Sequence, residues 1–271
     1  MTSYFYSLPV WISAVLVLAL AVAVGLGSSV GVRRLLRLQP TDEEKEIAIN
    51  LMQVVAAYIG IMLAFAGVAV WQNFADADTA VHQEAATAAE LYRDLTTYGG
   101  ETEAARADLR TYIASILDSE WPMLREGRGS LSTEAVLGNI FVELGKLNPE
   151  SNRDSAIYSE SFSKLNDLVV LRRDRIIASQ AGIPLILWFV GLVGSTLTIS
   201  YASAFCCTRY NVMMISGTSI AIGLVFVFIL MVDRPFKGAF SVQSTDVAQL
   251  APTFDRLDQL VLPKSGASHS K

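Results

Sequence analysis

Charge is what this sequence has least of. Only 17% of its 271 residues are charged, against about 25% in soluble domains. The shortfall is concentrated. No Asp, Glu, Lys or Arg occurs in residues 1–32, 47–75, 176–208 or 210–232. A helix needs roughly 20 apolar residues to cross a bilayer core, and all four stretches are long enough. They are continuously apolar rather than alternating, which excludes barrel strands and leaves helices, the other fold that satisfies its backbone in lipid. Transmembrane helices are expected at about 8–31, 49–72, 183–205 and 211–232. The first has no basic residue ahead of it and is longer than the apolar part of a cleaved leader, so it is expected to be retained.

Other scarcities narrow the function. There are two cysteines, Cys206 and Cys207, adjacent in sequence. They make no disulfide framework and read as small apolar residues at a membrane edge. The two histidines, His82 and His269, lie far apart, so no metal-ligand spacing appears. The net charge of -5 gives nucleic acid nothing to bind. GxSxG, HExxH and Walker patterns are absent, and the Gly25–Gly27 pair follows no strand. An enzyme is not expected, nor is a cofactor.

Between the second and third apolar runs lies a polar stretch, 73–180, with 18 acids and 11 bases. Its apolar residues recur every three or four positions, as on one face of a helix. Phe74, Ala77, Val81, Ala85, Ala88, Leu91, Tyr92 and Leu95 continue the second apolar run outward until Gly99-Gly100 stops them. Helices are also expected at about 101–120, at 132–146 with Ser132 as N-cap, and at 152–180, leading directly into the third membrane helix. Gly182 and Pro184 allow a kink at that junction. Glu120 and Glu126 read as solvated charges. The expected fold is an all-α membrane protein of four transmembrane helices, with a helical bundle inserted between helices two and three. The divisions are 1–72, 73–182, 183–232 and 233–271. The last holds an amphipathic stretch near 247–262, with disorder expected in the final ten residues.

Small residues recur every four positions in helix one (Ala19, Ala23, Gly27, Gly31), with Ala56, Gly60 and Ala64 in helix two. Such rows let helices approach closely, within a chain or between subunits. No embedded charge marks an ion pathway. Asn50, Gln53 and Tyr58 could line a narrow wet path along helix two, or bond to neighbouring helices.

Five separated blocks carry a resemblance: ADTAVHQEAATAAELYRDL leaving helix two, DSEWPML at 118–124, LNDLVVLRRDRI at 165–176, GIPLILWFV at 182–190 and DRPFKG at 233–238. Together they resemble the bestrophin-like domain-of-unknown-function family of bacterial integral membrane proteins, over about residues 50–240. The blocks single out Asp76, Asp78, Glu84, Tyr92, Arg93, Glu120, Trp121, Pro122, Asn166, Arg172, Arg173, Arg175, Pro184, Trp188, Asp233, Arg234, Pro235 and Phe236. Bestrophins are pentameric anion channels. The resemblance therefore implies a homo-oligomer with an axial pore lined by helix two, where Met62 and Phe65 join the candidate lining residues, and a cytoplasmic middle domain. Counting Arg33, Arg34, Arg37 and Lys45 in the first short loop places that domain outside instead. The acidic middle suits a cation better than an anion.

Both orientations stand in the cytoplasmic (inner) membrane, with the lipid bilayer as first partner. The alternative function is a non-conducting sensor or scaffold whose helical domain binds a protein partner. At 233–236, Pro235 ends helix four and Asp233–Arg234 marks the water line. Alternatively this pair clamps the charges at 172–175 or Asp76 and Asp78.

Overall fold

The structure is a computed structural model describing residues 9–36, 41–201, 208–238 and 240–261. All regular structure among these residues is helical. In chain order, α1 is Val10–Leu36, α2 Asp42–Tyr98, α3 Glu103–Ser115, α4 Trp121–Leu124, α5 Leu131–Leu144, α6 Asn152–Gln180, α7 Leu185–Ser200, α8 Arg209–Val232, α9 Thr245–Ala248 and α10 Leu250–Val261. Four helical stretches among the described residues are long and apolar enough to cross a membrane. Cys206, Cys207, His269 and the last ten residues lie outside the described residues.

The chain divides into two compact units, Met1–Phe74 with Gly182–Ser241, and Ala75–Ala181 with Val242–Lys271. Among the described residues, 242–261 thus join the polar unit.

In the first unit, Ile59, Leu63, Ala66 and Val70 of α2 pack with Phe226, Ile229 and Val232 of α8 into a buried core, and Trp188 lies against it. The close approaches depend on glycine. A Cβ at Gly194 would stand 2.1 Å from Ile59 Cδ1, and one at Gly25 2.1 Å from Ser219 Oγ. The small-residue row expected in α1 is not the packed one. Ala19, Ala23, Gly27 and Gly31 are all exposed, whereas Gly25 and Ser29 are buried. Ser29 donates to the carbonyl of Ile199.

The 57 residues of α2 span about 85 Å at 1.5 Å per residue. A reciprocal cap starts the helix: Glu44 N–H donates to Thr41 Oγ1, and Thr41 N–H to the Glu44 carboxylate. Gly99, at φ 128°, ends it in a conformation that only glycine adopts without strain.

The other polar helices differ from expectation in detail. The cap of α5 is Ser130, not Ser132: Ser130 Oγ accepts from Thr133 N–H. The helix expected to run to 120 ends at Ser115 and passes into a π-helical turn, Ile116–Glu120. Pro122 follows and has no N–H for the carbonyl four residues back, so regular α-bonding cannot continue there. α6 does not run directly into α7. Residues 181–184 break the helix, because Pro184 disfavours helical geometry in its predecessor.

Candidate functional site

Two features of α2 carry the chemistry, one exposed stripe and one buried stripe. The exposed stripe begins with Ile47, Asn50, Val54, Tyr58, Ile61, Phe65 and Val68, spaced three or four apart and all exposed. Phe65 is 69% and Tyr58 63% accessible, about as much as Trp11, Phe189 and Tyr210 on the other apolar helices. The same spacing continues through Gln72, Asp76, Thr79, Gln83 and Ala86, again all exposed, and lapses at positions 89 and 90, which are half-buried. The stripe is mostly apolar from Ile47 to Val68, Asn50 excepted, and mostly polar from Gln72 on. Of the five residues expected to line a path, Asn50, Tyr58 and Phe65 share it. Gln53 is exposed on another face of the helix, and Met62 is only partly exposed.

The buried stripe runs through Ala77, Val81, Glu84, Ala88, Leu91 and Leu95. Glu84 is an acid in a core position. Its carboxylate accepts from Tyr112 Oη at 2.6 Å and from Arg175 Nε and Nη2. Arg175 Nη2 also donates to Glu120 at 2.7 Å. Glu120 in turn accepts from Arg172 Nη2 at 2.6 Å and from Ser130 N–H at 2.9 Å. Arg172 completes the group by donating to the Ser130 carbonyl. The π-helical turn aims Glu120 inward, and the three-residue spacing of Arg172 and Arg175 puts both on one face of α6.

The result is two acids and two bases, all buried, with the Trp121 ring 6.0 Å from the Arg175 guanidinium. Burial opposes the Arg175 charge, but Glu84 and Glu120 more than offset this and hold its pKa above the ordinary arginine value. Burial and the adjacent Glu84 carboxylate push the Tyr112 phenol well above its usual range, so it stays a donor.

The reading of Glu120 as a solvated charge is therefore wrong. The arginine fork opposite it makes burial tolerable. Glu126 is exposed and pairs with Arg128. The hydrogen-bond partners of Arg172 and Arg175 within the polar unit are Glu120 and Glu84. Arg173, between them, points away and is exposed, as are Asp76, Arg93, Pro122, Asn166 and Pro184.

Asp233 is buried within the first unit and accepts the Ile183 N–H at 2.6 Å. It ties the start of α7 to the end of α8. Beside it, the Arg234 guanidinium lies over Gly182, 3.0 Å from where a Cβ would stand. Pro235 and Phe236 are buried, so this turn is packed within the first unit. Trp188 stacks on Phe226 at 6.1 Å.

The polar unit holds a second charged group that sequence reasoning missed. Tyr92, a family-block residue, donates to Asp258 of α10 at 2.7 Å. Arg106 and Arg110 of α3 pair with the same carboxylate at 2.8 and 2.9 Å. Asp78 lies 3.5 Å from His82, which contacts Asp246 at 2.8 Å. Among the described residues no three His, Cys, Asp or Glu side chains are placed to hold a metal ion.

The family model of the bestrophin-like domain matches residues 19–247. No curated protein matches the chain. Two solved structures are similar in fold. A bacterial bestrophin homologue from Klebsiella pneumoniae, a point variant, is 13% identical with a TM-score of 0.67, covering 93% of this chain and 99% of its own. A crystal structure of a membrane protein, also a point variant, is 14% identical with a TM-score of 0.65, covering 92% and 98%.

Proposed function

The chain belongs to the bestrophin-like family, and from that premise we propose that it is a homo-oligomeric channel with an axial path lined by α2. It crosses the inner membrane four times, with the polar helical unit inserted between the second and third crossings. The observation that carries this reading is the exposed stripe of α2. Tyr58, Ile61, Phe65 and Val68 stay exposed among the described residues, and neighbouring subunits, lipid or a central axis would cover them. The exposed row Ala19, Ala23, Gly27 and Gly31 in α1 offers a surface on which another subunit can approach.

Tyr58 and Phe65 are the bulkiest groups of the stripe and set its constriction, with Asn50 as its polar entrance. A cation is the expected solute, since the polar stretch carries seven more acids than bases (18 against 11) and such a field enriches cations.

Native mass spectrometry in mild detergent tests the assembly, and cation flux into liposomes tests the path. A ring of four or more subunits is expected, and Phe65→Ala should raise flux several-fold. A monomer or dimer, or flux indifferent to Phe65 and Tyr58, overturns the reading. A second reading, a membrane protein whose polar unit docks a partner, draws on apolar side chains exposed on that unit. Leu131, Val142, Val170 and Ile177 are the main ones.

A further inference from the structure

α10 is held to the polar unit in the manner of a bound ligand. Leu250, Phe254 and Asp258 lie four apart on one face of it. Phe254 is fully buried, its ring 4.0 Å from that of Tyr92 and nearly parallel. The Arg110 guanidinium sits 5.1 Å from the Tyr92 ring and 5.6 Å from the Phe254 ring. Four residues further on, Asp258 receives Tyr92 Oη, Arg106 Nη1 and Arg110 Nη2. Asp255 adds a contact to Arg110 at 2.8 Å. Beyond Asp258 the hold ends, and Leu260 is exposed.

Three properties make this a replaceable occupant. A 12-residue helix is marginal by itself in water, so α10 folds only while docked and can unfold on leaving. Its ion pairs are partly exposed: the side chains of Arg110 and Asp258 are 33% and 28% accessible. They are therefore weakened by salt. The fit is also incomplete. Arg106 is buried, and its Nε has no hydrogen-bond partner. A buried donor left unpaired is costly, so an occupant with one more acceptor would fit this cradle better than Asp258 does.

We infer that Tyr92, Arg106 and Arg110 form a docking site for an acidic amphipathic helix carrying an aromatic residue and an aspartate four positions later. In the resting chain the protein's own α10 fills that site. The partner is thus a protein segment of that chemistry, competing with a tethered resident. This inference is independent of whether the protein conducts ions.

The test uses the full-length protein in mild detergent and a fluorescent peptide of residues 245–261. The wild-type protein should bind the peptide weakly, because α10 occupies the site at high effective concentration. Asp258→Asn in the protein should tighten peptide binding at least tenfold. Adding Arg110→Ala should remove that gain, and the same peptide carrying Asp258→Asn should bind neither protein. Equal affinity for the two proteins, or equal affinity of the two peptides, overturns the site. Hydrogen exchange supplies the structural control. In the Asp258→Asn protein, α10 amides should exchange at least tenfold faster while Glu103–Ser115 stays as protected as in the wild type. Unchanged α10 exchange, or loss of protection in both helices, overturns it.

Discussion

The two halves of α2 follow one spacing and bury different chemistry. In the first half the inward positions are Ile59, Leu63, Ala66 and Val70, closed by α8. In the second they are Ala77, Val81, Glu84, Ala88 and Leu91, closed in part by a guanidinium. Apolar packing without charge tolerates shape errors poorly but is indifferent to pairing. An ionic core is the reverse: it is safe only while every member is present. Paired buried charges add little stability over apolar replacements of the same shape, whereas a widowed one is strongly destabilising.

The sharpest test of that contrast is Glu84→Ala. It leaves Arg175 buried without its main partner, so the polar unit should lose about 3–5 kcal/mol, read by thermal unfolding. Hydrogen exchange should show the loss in the second half of α2 only, and equal loss in both halves would break the comparison. Glu84→Leu combined with Arg175→Met should recover most of it.

In the first half, Gly194→Val drives a side chain into Ile59 and should cost about 1–3 kcal/mol. Ile59→Ala in the same chain should relieve it, which a double-mutant cycle would measure.

A smaller effect is expected from acid. Burial alone would raise the Asp258 carboxyl, but Tyr92, Arg110 and Arg106 outweigh burial and hold it below its ordinary value of 3.8. A depressed acid stabilises the fold above its unfolded pKa and loses that contribution as pH falls through the folded one. α10 should therefore stay docked down to about pH 3.8 and loosen below it, for a change under about 1 kcal/mol. Exchange of the α10 amides against pH would show it.

The smallest effect belongs to Arg173→Ala. That side chain is exposed between two buried arginines and should change stability by less than about 0.5 kcal/mol. Arg172→Ala, measured by the same melt, should exceed it severalfold.

The apolar helices were legible because missing charge is a local signal, and the ends of α2 and α6 because glycine and proline are. Ser132 reads as the cap of α5 because Ser is a good cap and the helix is expected to begin beside it, whereas it lies one residue inside the first turn. The Thr133 N–H donated to Ser130 Oγ identifies the cap, and the Ser130 N–H donated to Glu120, ten residues away, holds it in place. Glu120 was misread because an acid beside a turn is usually solvated. Glu84 offered a signal, since it falls on the apolar spacing between Val81 and Ala88. Arg172 and Arg175, three apart, offered another. What the sequence could not show is that these groups meet, because nothing local links residue 84 to residue 175. The docking of α10 was hidden likewise. Its amphipathic spacing was visible and its partner was not.

That separation has a consequence in time. Glu84 and Arg175 are 91 residues apart. At roughly 5–20 residues per second of synthesis, the acid waits roughly 5–18 seconds for its base. Until α6 emerges, the second half of α2 carries a carboxylate where its core will be, with Tyr112 and water as its partners. The ionic part of the polar core therefore cannot be completed from its N-terminal side alone. It closes late, when the two arginines of α6 arrive, and α10 is added only after α7 and α8 have been made.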